Sequence, residues 1–350
     1  MAVLIQTERF LKILMVFTHR HAYDAQSVRE KPSGGTEKTV VFLSEALERL
    51  GHHVTLITTL DALNGFEKEM MTSSRLRKPF DVLITQEARL FDTPWVEKMS
   101  ALKKVWWCHH YPDQPIIQRN AAYGRVFADA MVTLSQTQQH AFLRGLKLKT
   151  LTIPHGIYKH ELAGQRNGHL VYQKNSFQLV YASTPFRGLD LASAIYRRAL
   201  QKEPRLQWKI ASSMHTYGDT KGDEEFQELF QSLKLLKGVR LTGALNQKQL
   251  YALYAESTGF FYPCTWPETY CLALDEALAH DCIPLVRDEG CLSERVTPIF
   301  KTGMTTDDMA EALLIHLDSL ESEKSHFLIR QPVLDWRDVA QQWQKLLMTL

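Results

Sequence analysis

The chain has 350 residues, long for one domain, and its 45% hydrophobic and 23% charged content is that of a globular protein with material for two cores. Its 41 basic residues stand against 39 acidic ones, a formal charge of +2, so no long-range basic field exists to make nucleic acid the main partner. No window approaches the roughly 18 uncharged apolar residues of a membrane-spanning helix, which leaves peripheral membrane contact open.

Residues 1–10 lack a basic segment ahead of a long apolar run, so no signal peptide is expected. Residues 11–17 read as a buried strand, followed by a polar loop from about 19 to 35. Residues 36–50 read as an amphipathic helix with Val40, Val41, Leu43, Leu47 and Leu50 as its stripe, stopped by Gly51. Residues 53–58 form the next strand, giving a βαβ unit and hence a parallel sheet. Strands at 81–85, 104–108, 130–134 and 150–153 and a helix at 136–143 complete a first half.

After Pro154-His155-Gly156 the texture changes. Residues 158–175 are polar and weakly periodic, as in a connection between domains. A second series follows, with strands at 177–182, 206–211, 239–242, 260–263 and 283–286. Helices are expected at 191–201, 224–236 and 247–256, and a final amphipathic helix at 336–350. The expected fold is α/β, two doubly wound parallel-sheet halves, divided as 1–165, 166–330 and a closing segment 331–350. The five cysteines, Cys108, Cys264, Cys271, Cys282 and Cys291, are odd in number and form no CxxC pair. A reduced, intracellular setting is expected.

The densest chemistry lies between Phe260 and His280, where strand, loop and helix succeed one another. Glu268 stands in the loop, and Glu276 lies two helical turns, about 12 Å, further on. Unpaired N–H groups at the helix start, over Thr269, Tyr270, Cys271 and Leu272, suit a phosphate or diphosphate. Glycosidase carboxylates sit roughly 5–9.5 Å apart, closer than this pair. A ligand with a sugar at one end and a ribose at the other fits better. An isolated pair of glutamates at this spacing would be a solvated helix face; the surrounding Trp266-Pro267-Glu268-Thr269-Tyr270 makes it specific.

Other elements carry weaker signals. Ser183-Thr184-Pro185-Phe186-Arg187-Gly188 follows a strand, where an α/β sheet binds ligands. Arg187 there is either a forked phosphate ligand, with the Ser183 hydroxyl as a further donor, or a surface arginine beside a turn. Gly34-Gly35 allows close approach of backbone to a ligand, or is a plain turn and cap. It is not the G-x-G-x-x-G fingerprint, which would follow the first strand at once. His109 and His110 end a strand, and His109 is the candidate to hydrogen-bond a substrate hydroxyl. No Cys/His set has zinc-ligand spacing, so no metal is expected.

Together these residues resemble the retaining glycosyltransferases of the GT-B fold, in particular glycosyltransferase family 4. The resemblance rests on Glu268-x7-Glu276, Gly34-Gly35, Trp107-Cys108-His109, Pro154-His155-Gly156-Ile157 and Arg187-Gly188, where the family usually has Lys-Gly. It implies two Rossmann-like domains facing a cleft. It implies transfer of a hexosyl unit from a GDP- or UDP-linked sugar to an acceptor hydroxyl, with retention and without metal or cofactor, in polysaccharide or glycoconjugate assembly. Glu268 would contact the sugar and Glu276 the ribose. Gly35, Ser183, Arg187 and the amides of Thr269 to Leu272 would hold the diphosphate, and His109 would reach the sugar from the other domain. The partners implied are a nucleotide sugar and an acceptor glycan or glycolipid, in the cytoplasm, with a homodimer left open. Cys271 and Asp281 stand where relatives carry glycine, Ser183 where arginine is frequent, and Tyr158 where aspartate is frequent. A non-catalytic nucleotide-sugar-binding protein and a nucleotide-sugar epimerase of the same fold are the alternatives.

Overall fold

The strand read at residues 11–17 is β1 (Lys12–His19) in a computed structural model of the chain. The structure describes residues 9–72, 80–99, 102–143, 148–166, 177–219, 221–321 and 329–350. Along β1, Ile13, Met15 and Phe17 point into one core while Leu14 and Val16 point into another. Both faces of the strand are therefore covered, which is why its sequence is an unbroken apolar run.

Around β1 the strands β2 (His53–Thr59), β3 (Val82–Thr85), β4 (Lys103–Trp107), β5 (Ala130–Thr133) and β6 (Thr150–Thr152) form one sheet. Its order is β2-β1-β3-β4-β5-β6, with every pair parallel. The second sheet comprises β7 (Gln178–Ala182), β8 (Gln207–Ala211), β9 (Val239–Leu241), β10 (Gly259–Tyr262) and β11 (Ile283–Val286). Its order is β11-β10-β7-β8-β9, again wholly parallel. The expected α/β architecture of two parallel sheets is thus present.

Several boundaries differ from the expectation. The helix read at 224–236 is a 3-10 turn, Glu224–Phe226, then an α-helix, Gln227–Lys234. The break falls at Phe226, whose ψ of 11° departs from α geometry. The helix after Glu268 begins only at Leu272, because Cys271 before it is left-handed with φ +69°. Within the stretch read as a connection, Lys159–Arg166 is a helix, and residues 167–175 lie outside those described. Helices Leu60–Thr72 and Pro115–Phe127 gave no sequence signal. The first buries only Leu63 and Met70, too sparse a stripe to register.

The last helix, Trp336–Met348, lies against the helix Gly35–Arg49. Trp336 and Trp343 share a core with Val40, Leu43 and β1. Asp335 starts this helix by accepting from Arg337 N at 2.9 Å and from Lys159 N at 3.1 Å. The final segment therefore packs on the N-terminal sheet although the chain enters it from the C-terminal one.

Candidate active site

The carboxyl ends of β1, β3 and β4 face those of β7 and β10 across a cleft, where a doubly wound sheet places its ligands. Two adjoining cavities fill it, of about 170 and about 300 Å³. Arg187, Glu268, Leu272, Gly35 and Tyr217 line both and so form the boundary between them. Glu276, Ser183 and Gly34 line only the first; His109, Thr269 and Tyr270 line only the second. Cys271 lines neither: it is 8% exposed and its side chain belongs to the C-terminal core. The Cys271 contact expected was of its backbone amide, which a buried side chain leaves open.

Glu268 owes its position to two tight glycines. Gly188 has φ +100°, and a Cβ there would lie 2.7 Å from Pro263 O. The turn carrying Arg187 can therefore press against the loop that follows β10. Gly290 has φ +57° and abuts the backbone of Glu268, whose carbonyl accepts from Cys291 N at 2.8 Å. Arg187 Nη1 donates to Glu268 Oε1 at 2.6 Å, and the buried Tyr262 hydroxyl donates to the same oxygen at 2.6 Å. Burial pulls the Arg187 guanidinium down, but Glu268, with Tyr217 and Tyr262, holds it well above its ordinary value. Burial likewise pushes Tyr262 up, so it stays a donor. Ser183 Oγ lies 3.4 Å from the Tyr262 hydroxyl.

Glu276 is 3% exposed. Gln247 Nε2 donates to its Oε1 at 2.8 Å, and Lys38 Nζ stands 3.5 Å from the same atom. Lys38 comes from the opposite half, on the helix opened by Gly34-Gly35, and is itself 7% exposed. Sequence reading passed over it. The available signal was a lysine one turn after the glycines, on a face otherwise occupied by Val41 and Ala46.

His109 is buried, and neither ring nitrogen meets a hydrogen-bond partner. Its ring stacks on His155, with centroids 5.6 Å apart and planes at 21°. Burial, then His155, drives its pKa well below 6.5, so it is a neutral imidazole. Thr269 and Tyr270 turn toward the N-terminal half and bind it together. Thr269 Oγ1 donates to His109 O at 3.1 Å, and the Tyr270 hydroxyl lies 2.9 Å from His155 O and 2.7 Å from Asp275 Oδ2. Tyr111 adds a bond to Glu268 O at 3.1 Å. Among the described residues no group of three His, Cys, Asp or Glu side chains is placed to hold a metal, and no helix is long and apolar enough to cross a membrane.

Known proteins bear on this geometry in three ways. A search of curated proteins finds no match. Solved structures match over nearly the whole chain at low identity. Anabaena Alr3699/HepE in complex with UDP and glucose is 15% identical, with a TM-score of 0.68 over 97% of this chain and 100% of that one. Sucrose-phosphate synthase (tll1590) from Thermosynechococcus elongatus is 16% identical, with a TM-score of 0.68 over 97% and 99%. An α,α-trehalose-phosphate synthase (UDP-forming) from Burkholderia vietnamiensis is 12% identical, with a TM-score of 0.63 over 97% and 94%. The chain thus has the GT-B fold, two Rossmann-like halves facing a cleft, and its residues 184–330 match the model of the family glycosyl transferases group 1.

Proposed function

We propose that this protein is a retaining glycosyltransferase that moves a hexosyl unit from a nucleoside-diphosphate sugar to an acceptor hydroxyl. The observation that carries the reading is that Glu276 lines the first cavity while the ion pair Arg187–Glu268 stands at its boundary with the second, where His109 lies. Ribose hydroxyls would meet Glu276, the diphosphate Arg187 and the helix start at Leu272, and the hexose Glu268 and His109. The match of residues 184–330 to group 1 glycosyl transferases supports the same assignment. UDP is bound by Alr3699/HepE, which favours UDP over GDP as the donor to try first.

In the reaction the bond between the anomeric carbon and the diphosphate oxygen breaks as the acceptor oxygen attacks from the same face. The acceptor proton passes to the departing diphosphate. Charge grows on that leaving group, and Arg187 is fixed beside it in advance, so no reorganisation is needed at the transition state. Lys38, one helical turn past Gly34-Gly35, adds a second cation at the nucleotide end. In this proposal these protein groups supply the charge without a metal or cofactor. A cytoplasmic location belongs to the same reading and is supported by five buried cysteines that form no disulfide. The acceptor would be a glycan or glycolipid.

Steady-state assays of nucleotide release from a panel of UDP- and GDP-hexoses test the proposal. Arg187→Ala should lower turnover on the order of 10²–10³-fold, and Glu276→Ala should raise the donor KM with a smaller change in kcat. Near-normal kinetics in both variants would refute the site, and release by neither wild type nor variants would refute the reaction.

A further inference from the structure

The second cavity holds more polar wall than a donor hexose between Glu268 and His109 uses. Beyond them it is bounded by Glu37, Gln86, Gln114 and Trp266. Glu37 Oε1 pairs with His19 Nε2 at 3.3 Å, but Glu37 Oε2 is buried with no partner. Gln86 Oε1 is likewise buried and unmatched. Gln114 Oε1 is a third such acceptor on the same wall. An unsatisfied buried acceptor costs about 1–3 kcal/mol, more for a carboxylate, a cost that donors from a ligand would remove. Trp266 faces the same space and is 38% exposed, although it is among the largest apolar side chains present. Phe186 meets its ring edge-on at 5.2 Å, and Arg187 lies 5.9 Å from the ring centroid, so the indole is held in place.

We propose that Glu37, Gln86 and Trp266 form the acceptor subsite and that the acceptor is an uncharged carbohydrate. The two oxygens receive its hydroxyl groups, and the indole carries the apolar face of its ring. The inference rests on the glycosyltransferase reading and deepens it by naming the acceptor's chemical class. Charge argues against a phosphorylated acceptor. The arginine lining this cavity, Arg187, is already engaged by Glu268 and assigned to the donor diphosphate, and Glu37, paired with His19, adds a further carboxylate. His109, His110 and His155 all have pKa values lowered by burial, that of His155 to about 3, so they add no positive charge near neutrality. A lipid alcohol would leave both oxygens without donors. Glu37 also lines a third, outer cavity of about 610 Å³ between His21, Tyr23 and Gly218, which gives a longer oligosaccharide room to leave the cleft.

The experiment first finds a donor by its slow hydrolysis, with no acceptor present. Methyl α-glucoside, methyl β-galactoside, glucose 6-phosphate and octanol are then added separately. The methyl hexosides should accelerate nucleotide release, and the sugar phosphate and alcohol should not. Glu37→Gln, Gln86→Leu and Trp266→Ala should each raise the KM for the methyl hexoside on the order of tenfold, while donor hydrolysis and nucleotide Kd hold within about twofold. Preference for the phosphorylated sugar or the alcohol would overturn the inference. So would variants whose hydrolysis falls in step with transfer, since these side chains would then serve the donor. A wild type that hydrolyses no donor fails at the first stage, refutes glycosyl transfer itself, and takes the acceptor assignment with it.

Discussion

The two walls of the second cavity differ in a way that divides their labour. On the C-terminal wall, Arg187, Glu268, Thr269 and Tyr270 all have hydrogen-bond partners within the protein. On the N-terminal wall, Glu37 Oε2, Gln86 Oε1, Gln114 Oε1, both nitrogens of His109 and His155 Nδ1 have none. Every buried, unmatched side-chain atom that lines this cavity among the described residues comes from the N-terminal half. One wall is finished before substrate arrives; the other is completed by it. In the proposed reaction preorganised charge belongs on the wall where the diphosphate would depart, because reorganising there would cost rate. Unmatched acceptors belong where specificity is set, because only a ligand bearing the right hydroxyls removes their penalty.

The contrast is broken hardest by attacking what lies beneath the finished wall. Arg295 and Asp275 are 1% and 0% exposed and form an ion pair, with the Tyr270 hydroxyl 2.7 Å from Asp275 and Arg295 Nη1 reaching Tyr270 O at 3.3 Å. Arg295→Met leaves a carboxylate without its cation in a dry core. We expect a loss of about 3–5 kcal/mol in denaturant unfolding, enough to remove much of the stability of an ordinary domain. Gln86→Leu on the other wall removes an orphaned oxygen instead, and its unfolding free energy should stay within about 0.5 kcal/mol of wild type. Equal losses in the two variants would abolish the distinction between the walls.

A smaller effect probes how the walls are held face to face. Glu294, from the short helix Leu292–Arg295, accepts from Gln136 N at 3.0 Å and from Thr137 N and Oγ1 at 2.9 and 3.0 Å, at the start of the helix Gln136–Leu143. It thereby caps a helix of the opposite half. Burial pushes its pKa up, but the bonds from Thr137, Gln136 and Gln331 outweigh burial and set it below 4.5. A carboxylate depressed in the folded state contributes its full stability above the unfolded pKa and loses it as pH falls through the folded one. Glu294→Gln should therefore cost about 1 kcal/mol near pH 7, allowing for solvent screening. Its Tm should converge with that of wild type as the pH falls through the depressed pKa of Glu294, below 4.5. A gap that stays constant with pH would show that the bridge does not depend on charge.

The same division decided what the sequence could reveal. Glu268 and Glu276 belong to one strand-loop-helix unit, and Arg187 to the turn after another strand, so local order alone placed them at a cleft. The family model also matches only within this half, at residues 184–330. The N-terminal wall is gathered from the ends of β1, β3 and β4 and the start of a helix. Glu37 and Gln86 lie far apart in the chain and meet only through strand order. Glu37 even stands inside the segment around Gly34-Gly35, but nothing beside it in sequence shows that one oxygen is left over. Lys38 was hidden for a related reason: its partner Glu276 lies in the other half. Chemistry concentrated in one βα unit is legible, and chemistry assembled by topology is not.

The smallest expected effect concerns strain, which is also unevenly shared. Among the described residues the two non-glycine positions with positive φ, Cys271 at +69° and Asp281 at +58°, bracket the single helix Leu272–Ala279. Asp281 closes that helix. Its N–H bonds Leu278 O at 3.0 Å and the N–H of Cys282 bonds Ala277 O at 3.0 Å, the paired geometry that favours glycine at the left-handed residue. Asp281 is exposed, so Asp281→Gly removes the steric cost of a Cβ there and loses no core packing. Against that, glycine gives the unfolded chain more freedom to lose. The balance should be a gain of about 0.5–1 kcal/mol, read in the denaturant midpoint, with transfer unchanged. Cys271→Gly relieves the same kind of strain but removes a buried Sγ from the core directly beneath the loop that joins β10 to the helix Leu272–Ala279, so it should gain no stability and, in the proposed reaction, should slow transfer. If the two variants behaved alike, the left-handed turn at Cys271 would be an incidental helix boundary and not the feature that withdraws this side chain from the cleft while leaving Leu272 to open the helix at the boundary between the two cavities.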